Sequence, residues 1–314
     1  MDVTTNNLPK GDIEILSSIA EHKTVTSDQL QYFLQRSLQT IRRRLRHLSK
    51  NQMISERERL FGDGPGRKEK VFLLLNKGLN VLKTNGVLSK HALYITDDKA
   101  HALHYLEHDL LLNWSLIHMI LIERLNSRFQ VNYITTSSHT LTEGNPDQPF
   151  LMERFSSIKE PEKNQTIIPD GVFAITDRES NKSLLFFIEV DMSTETLISG
   201  TLCSDIQTKL KKYQSLFQHE AYKKYNELFN YEFKGFRTLF LANTEPRLKS
   251  LCNVIKSTPP SDFIWLTSKN NMFKNGLAAA IWARGGQYNK PRESILGPWN
   301  FKAIIEDCNK KGAI

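Results

Sequence analysis

The sequence predicts an α+β protein (α/β in the broad sense), with a small basic helical region followed by a domain built on a mixed β-sheet. Two observations predict this organisation: the distribution of charge along the chain and the periodicity of its apolar residues. Of the formal net charge of +8, residues 1–90 carry 16 Lys+Arg and 9 Asp+Glu, a net of +7, so the remaining residues carry a net of +1. Helical patterns fill the first region, whereas strands alternate with helices after residue 128. Such alternation is typical of a layered domain with helices packed on a sheet.

Three short helices are predicted at the start of the chain: one over residues 12–21, a second that runs through Leu30, Phe33 and Leu34, and a third over residues 38–50. The stretch 26–29 (Thr-Ser-Asp-Gln) is a suitable N-terminal cap for the second helix, and Ser37 is one for the third. The third helix has one apolar stripe for a core. The rest of its surface is basic and contains no acid, with Arg42, Arg43, Arg46, His47 and Lys50.

Two strands, over residues 53–60 and 70–75, flank a glycine-rich turn that ends in Arg67 and Lys68. Three helices followed by a β-hairpin predict a winged helix-turn-helix domain over residues 10–90. Its third helix would enter the major groove of double-stranded DNA, and its hairpin would approach the backbone. We therefore predict DNA contacts from Arg42, Arg43, Arg46, Lys50, Arg67 and Lys68. The alternative is a winged helix that contacts only protein; the shared basicity of helix and hairpin favours DNA.

A long helix is predicted over residues 99–126, and His101, His104 and His108 lie on one face of it. These histidines could form a metal site, but no acid or cysteine with ligand spacing accompanies them. Packing between domains is the favoured interpretation. The predicted organisation continues with a connecting helix over 91–127, a mixed-sheet domain over 128–290 and a C-terminal tail over 291–314.

The second domain has five predicted strands and three predicted helices. The strands cover residues 129–135, 167–175, 184–191, 236–242 and 262–267, and the helices cover 202–219, 245–256 and 271–283. Three scattered cysteines predict neither a disulfide framework nor a zinc knuckle. With no signal-like N-terminus and no apolar window long enough for a membrane span, we expect a cytoplasmic protein without a membrane partner.

Acidic residues stand at the ends of two apolar strands of this domain. Asp170 precedes one strand, and Glu189 and Asp191 end the next, where alternation places both on one face. Carboxylates at the edge of an apolar sheet are costly unless a cation binds them. We predict that Asp170, Glu189 and Asp191 bind Mg²⁺ or Mn²⁺. Lys209, on the following helix, would complete a catalytic set with Asp170 and Glu189 for phosphodiester cleavage.

Acids at strand ends have a simpler interpretation as helix caps or surface salt bridges. That interpretation is favoured for any single acid. It is less favoured for three acids on consecutive apolar strands followed by a lysine.

The acidic motifs resemble those of the replication-relaxation family. The residues that carry the resemblance are Pro169-Asp170, Glu189-Val190-Asp191 with Ser193-Thr194-Glu195, Lys209 with Tyr213, the strand from Arg237 to Thr244 with Arg247, and the helix motif of His108, Leu110 and Asn113. The resemblance covers residues from about 10 to 285. It implies a winged helix joined to a domain similar to the PD-(D/E)XK restriction-endonuclease fold. It also implies that the protein is encoded on a plasmid or an integrative element. Some members of the family are implicated as relaxases.

On this resemblance Asp170 matches the first acid of the nuclease motif and Glu189 the second. The chain departs from the common pattern because Asp191 stands where a lysine is usual. Lys209 from the following helix would supply that amine, as in known variations of the fold. Tyr213 lies on an apolar stripe and is interpreted as structural or orienting rather than as a covalent nucleophile.

The leading hypothesis is a mobile-element protein that binds double-stranded DNA and nicks it with a divalent metal. Other mobilisation or replication proteins are further candidate partners. The first alternative is a non-catalytic replication initiator or transcriptional regulator with a degenerate nuclease fold. The second is a defence or repair nuclease that cuts without site preference.

Overall fold

The computed structural model describes residues 8–58, 69–90, 103–135, 151, 153–156, 164–194, 197 and 205–303. Contacts between residues divide the chain into two units, and the division falls inside a long helix, between Ile117 and His118. The predicted ranges instead treat this helix as a separate connector.

The first unit contains four helices and a small sheet within the described residues. The helices are α1 (Lys10–His22), α2 (Ser27–Leu34), α3 (Leu38–Lys50) and α4 (Asn76–Thr84), and the strands are β1 (Thr24–Thr26), β2 (Ile54–Glu58) and β3 (Lys70–Leu74). The strands form an antiparallel sheet in the order β1-β3-β2. The three helices and the hairpin strands lie close to their predicted positions. β1 was not predicted, because three residues are too few for a periodic signal.

Local hydrogen bonds fix where these helices begin. Thr26 and Gln29 form a reciprocal capping box at the start of α2. The Ser37 hydroxyl accepts a hydrogen bond from the Thr40 amide at the start of α3. The apolar stripe of α3 then packs into the core of the unit, where Ile41, Leu45 and Leu48 are buried. This orientation leaves the basic side of α3 at the surface.

A fifth helix, α5 (Leu103–Leu125), contributes its first half to this unit. The Gln29 side chain donates a hydrogen bond to the Leu110 carbonyl at 2.8 Å. The Asn113 amide donates to the carbonyls of His22 and Thr24, at 3.2 and 2.7 Å. These three buried hydrogen bonds join the first half of α5 to β1 and to the residues on either side of it.

The second unit contains the larger sheet. Its described strands are β4 (Phe129–Thr135), β5 (Glu153–Ser156), β6 (Asn164–Ile167), β7 (Gly171–Asp177), β8 (Lys182–Asp191), β9 (Phe236–Ala242), β10 (Ile264–Ser268) and β11 (Ala283–Arg284). Its further helices are α6 (Ile206–Gln218), α7 (Tyr225–Phe229), α8 (Glu245–Lys256) and α9 (Lys269–Asn275). Six strands form one mixed sheet in the order β11-β10-β9-β8-β7-β4, and β5 pairs with β6 separately.

Strand direction changes in the middle of the six-stranded sheet. β4, β7 and β8 are antiparallel neighbours, whereas β8, β9 and β10 run parallel. Helices α6 and α8 provide the crossovers that parallel strands require. Their apolar sides cover one face of the sheet, where Tyr213 and Leu216 of α6 join the core. The α+β fold class predicted from the sequence is confirmed.

Two of the predicted elements have different bounds because of contacts with other parts of the chain. β7 begins at Gly171 rather than at 167, since Pro169 has no amide to donate and Asp170 uses its side chain to bond β8. The helix predicted over 271–283 is the short α9, which ends at Gly276. Gly276 has a φ of +78°, and an added Cβ would collide with the Ala303 carbonyl oxygen. None of the described helices is long and apolar enough to cross a membrane.

Candidate functional site

The antiparallel pairing of β7 and β8 brings Asp170 and Glu189 together. Gly171 pairs with Ile188, so the register continued by one residue sets Asp170 directly across from Glu189. Side chains directly opposite each other on one face are close neighbours. Asp170 Oδ2 also accepts a hydrogen bond from the Val190 amide at 2.8 Å, which fixes this carboxylate at the end of β8.

Glu189 lies inside the protein, with 2% of its surface exposed. Its face of β8 is covered by α6, which supplies both hydrogen-bond donors. Lys209 Nζ donates to Oε2 at 3.2 Å, and the Tyr213 hydroxyl donates to Oε1 at 2.5 Å. Lys209 and Tyr213 are four residues apart and therefore reach the carboxylate from one side of the helix. The lysine is 24% exposed, so solvent reaches the site from its side.

Burial raises the pKa of Glu189 to about 7. The Lys209 charge opposes this shift, the Asp170 charge adds to it, and the hydrogen bonds from Tyr213 and Lys209 oppose it. Burial also raises the pKa of Tyr213 well above its usual value, and the Glu189 charge adds to that effect. Tyr213 therefore stays protonated and acts as a hydrogen-bond donor that orients Glu189. Its side chain is fully buried, as expected for a structural or orienting residue.

Asp191 forms a separate ion pair. Arg247, in the first turn of α8, donates from Nε to Oδ1 and from Nη2 to Oδ2, both at 2.8 Å. The Ser193 amide also donates to Oδ1 at 2.8 Å. The Asp191 side chain is 3% exposed and that of Arg247 is 11% exposed. The structure thus brings Asp170, Glu189 and Lys209 together and places Asp191 with Arg247.

Two carboxylates fit Mg²⁺ or Mn²⁺ better than they fit zinc or calcium. Magnesium is commonly held by one or two carboxylates, with waters and substrate phosphates as its other ligands. Asp170 and Glu189 provide such a donor pair. Within the described ranges no three His, Cys, Asp or Glu side chains group as ligands, so a fully protein-made cage is not present there.

A comparison with known families identifies the family of the chain. A family model for replication-relaxation proteins matches residues 16–231. The chain belongs to the replication-relaxation family. The match runs from α1 to the residues just after α7. It includes the three acids and the lysine of the predicted site. Searches of curated proteins and of solved structures give no match.

Membership of the replication-relaxation family indicates a role in the replication or mobilisation of a plasmid or mobile element, with DNA or replication-related interactions. The resemblance read from the sequence is confirmed. The match ends before Arg247. This family member therefore holds Asp191 with a residue from outside the matched range.

The predicted DNA contacts of α3 lie on the surface of the first unit. Arg42, Arg43, Arg46 and Lys50 are all exposed. Arg42 has a weak partner, Asp28, at 3.6 Å between exposed side chains. Arg44, in contrast, is partly buried and lies 3.5 Å from the buried Asp12. Arg44 is thus a structural residue, whereas the other cations of α3 remain available to a polyanion.

Several predicted residues lie outside the described part of the chain. Arg67 and Lys68 of the hairpin tip and His101 of the long helix belong to this group, and for His104 only the backbone is described. His108 lies 3.5 Å from its neighbour Asp109.

Sequence reasoning did not find Arg247 as the partner of Asp191 or Asn243 as a support for the same loop. The Asn243 amide donates to the Asp191 carbonyl at 3.0 Å, and its side chain donates to the Met192 carbonyl at 3.1 Å. The available signal in the sequence was the position of Asp191 at the end of an apolar strand, because a buried carboxylate there requires a cation. Arg247 follows the next parallel strand by one helical turn, where it faces that carboxylate.

A pH-dependent stability follows from the raised pKa of Glu189. The folded protein holds this proton more tightly than the unfolded chain, so ionisation of Glu189 opposes folding. The cost is absent below the ordinary pKa of 4.5 and is complete above about 7. We expect Glu189→Gln to raise the free energy of unfolding at pH 8 by up to about 3 kcal/mol and to leave it little changed at pH 4.5.

Urea unfolding at the two pH values, with wild type and variant compared, measures this effect. Asp262→Asn is the matched control, because the Asp262 side chain is 87% exposed. An equal difference between wild type and Glu189→Gln at both pH values would contradict the assignment of the proton to Glu189.

Proposed function

We propose that this replication-relaxation protein binds double-stranded DNA of a plasmid or mobile element through α3 and nicks it through a metal-dependent site on the second unit. The observation that carries the proposal is that Asp170, Glu189 and Lys209 lie close together where β7 begins and β8 ends. Two acids and an amine at one place match the PD-(D/E)XK-like site that the sequence resemblance implies. Other mobilisation or replication proteins remain candidate partners.

In this proposal Asp170 and Glu189 hold Mg²⁺ or Mn²⁺. When bound, such an ion would neutralise the phosphate and lower the pKa of an attacking water. Tyr213 donates its hydrogen bond to Glu189 Oε1 and so keeps that carboxylate in one orientation. Asp170 is kept in place by its bond to the Val190 amide. Both ligands would therefore be positioned before DNA binds, which lowers the cost of reaching the reactive geometry.

Lys209 has the geometry of an electrostatic catalyst. Its ammonium lies 3.2 Å from Glu189 and is partly open to solvent. From there it can donate a hydrogen bond to a phosphate oxygen as negative charge develops, or orient the water that attacks. Asp191 would join the metal ligands only if it left Arg247, because both of its oxygens already accept bonds from that guanidinium.

The alternative is a family member that binds DNA without cutting it. The pairing of Asp191 with Arg247 favours it, because only two of the three predicted acids are then available to a metal. This alternative predicts DNA binding that depends on salt and is indifferent to divalent metal.

The nicking reaction tests the proposal. Purified protein is expected to convert a supercoiled plasmid that carries the origin region of its own element to the open-circle form in Mg²⁺ or Mn²⁺, and not in EDTA. Lys209→Met should slow the reaction about a hundredfold, as expected for loss of one electrostatic donor. Lys211→Met, in an exposed lysine of the same helix, is the matched control. No strand breakage in any metal, with DNA binding intact, would favour the non-catalytic alternative.

The DNA-binding half of the proposal is tested separately on α3. Arg46→Gln is expected to weaken duplex binding and to reduce the slope of log affinity against log salt by about one, because one phosphate contact is lost. Lys83→Gln, in α4 of the same unit, should leave both quantities unchanged. Fluorescence anisotropy over a series of salt concentrations gives the slope. An unchanged slope for both Arg46→Gln and Arg43→Gln would exclude α3 as the DNA-contacting helix.

A further inference from the structure

A cavity lies on the six-stranded sheet, on the face opposite to the one that carries Glu189 and is covered by α6. Its volume is about 470 Å³, and every residue that lines it belongs to the second unit. Five neighbouring strands, β4, β7, β8, β9 and β10, provide its floor, with Phe129, Ile175, Leu184, Arg237 and Trp265. Leu184 and Glu189 are an odd number of residues apart on β8, so their side chains point to opposite faces. The cavity is therefore separate from the acidic site.

Two arginines in this cavity stack on tryptophans but differ in their partners. The Arg128 guanidinium lies 3.8 Å from the centre of the Trp299 ring and also pairs with Asp177 at 2.6 Å. The Arg237 guanidinium lies 4.5 Å from the centre of the Trp265 ring. Across the described residues, Arg237 makes no hydrogen bond or ion pair with protein. It is the charged residue of β9, in which all the other residues except Thr238 are apolar.

The free energy of this arrangement favours an anionic ligand. Arg237 is partly buried, and burial together with the nearby charge of Arg284 lowers its pKa. The Arg237 side chain is half-buried and none of its nitrogens is a fully buried donor without a partner, so its N–H groups can reach a ligand in the cavity. Glu293 also lines the cavity, and its charge opposes the lowering of the Arg237 pKa, but its carboxylate makes no ion pair with Arg237 and lies 3.9 Å from Arg284. An incoming anion would give Arg237 the partner that the protein does not supply.

The same cavity has exposed apolar surface beside this cation. Trp299 is 52% exposed even though Arg128 stacks on it, and Leu184 is 43% exposed. Exposed aromatic rings next to an arginine are the combination that binds single-stranded nucleic acid, because bases stack on the ring while the phosphate pairs with the cation. The volume lies within the range of small-ligand sites and accommodates about one nucleotide.

We propose that this cavity binds a nucleotide unit of single-stranded DNA, with its phosphate at Arg237 and its base stacked on Trp299. Lys182, exposed at the rim, would extend the cationic path for the backbone. The site goes beyond the proposed nicking centre and does not depend on it. The two residues on which the proposal depends, Arg237 and Trp299, follow the matched range of the family, whereas Lys182 and Leu184 lie within it.

The test measures binding of fluorescent oligothymidylate to the full chain in which Arg42, Arg43 and Arg46 are replaced by Gln, so that α3 contributes little. In this background Arg237→Gln should weaken binding about tenfold, since a charge-assisted bond to phosphate is lost. Trp299→Ala should weaken it about tenfold and Trp299→Phe only slightly, since the phenyl ring still stacks. Lys249→Gln, an exposed cation of α8, is the control and should have no effect.

Two further ligands separate the possible sources of the signal. Thymidine monophosphate should bind much more weakly than the oligonucleotide, and a polyglutamate peptide should not compete. Equal binding by Arg237→Gln and the control, preference for the free nucleotide, or competition by the acidic peptide would each overturn the proposal. Glu189→Gln, in contrast, should bind oligothymidylate normally, so failure of nicking and failure of this site are distinguishable.

Discussion

Glu189→Gln is expected to reduce metal-dependent nicking of supercoiled plasmid by about a hundredfold to a thousandfold. The amide keeps the size of the side chain and one acceptor oxygen, but it loses one of the two hydrogen bonds accepted from Lys209 and Tyr213 and the negative charge that would hold a divalent cation. Asp170→Asn should have a similar effect, because its carboxylate is the other half of the pair. The measurement is the initial rate of open-circle formation on an agarose gel in Mg²⁺ and in Mn²⁺.

The double variant provides a stricter result. If both carboxylates act on one ion, the combined loss should be close to that of either single variant, since groups that act as a unit are not additive. Asp262→Asn serves as the control for surface charge and should nick at the wild-type rate. Wild-type rates for Asp170→Asn and Glu189→Gln, in protein that is folded by circular dichroism, would remove this pair from the chemistry.

Arg247→Ala is expected to lower the free energy of unfolding by about 3–5 kcal/mol. The substitution leaves Asp191 buried without its cation, and an uncompensated buried charge is much more costly than the pair was favourable. Urea unfolding at pH 7 measures the change. Lys223→Ala is the control, because Lys223 and its partner Glu220 are 47% and 58% exposed. That exposed pair should contribute less than about 1 kcal/mol.

A substitution of Asp191 distinguishes its two possible roles, ion-pair partner of Arg247 and metal ligand. With Asp191→Asn, protein that is destabilised but still nicks at temperatures where it is folded would identify the residue as a structural partner of Arg247. Loss of nicking with a raised requirement for Mg²⁺ would instead identify it as a metal ligand. A loss of less than about 1 kcal/mol in Arg247→Ala would contradict the buried ion pair itself.

Much of the fold was predictable because its signals are local. The caps at Thr26 and Ser37 and the apolar stripe of α3 set the helices of the first unit without reference to the rest of the chain. The continuous apolar run of β8 likewise identified a strand that ends in acid. The start of β7 and the end of α9 were not predictable. They depend on Asp170 bonding a neighbouring strand and on Gly276 passing close to Ala303, which are distant in sequence.

The candidate site was predictable in part. Asp170, Glu189 and Lys209 could be selected because acids at the ends of apolar strands, followed by a helical lysine, are unusual in any sequence. The separation of Asp191 from that group was not visible, because Glu189 and Asp191 share a face of β8 and differ only in the helix that covers them. Lys209 and Tyr213 of α6 meet Glu189, whereas Arg247 of α8 meets Asp191.

The sequence by itself therefore determined the order of the elements, the basic surface of α3 and the residue types of the acidic edge, because periodicity, capping and charge act over a few neighbouring residues. Tertiary structure alone decided which cation each acid meets, and it alone assembled the cavity of Arg237 and Trp299. Those contacts join residues from several strands and helices, so they exist only once the sheet is formed and its two faces are covered by different parts of the chain.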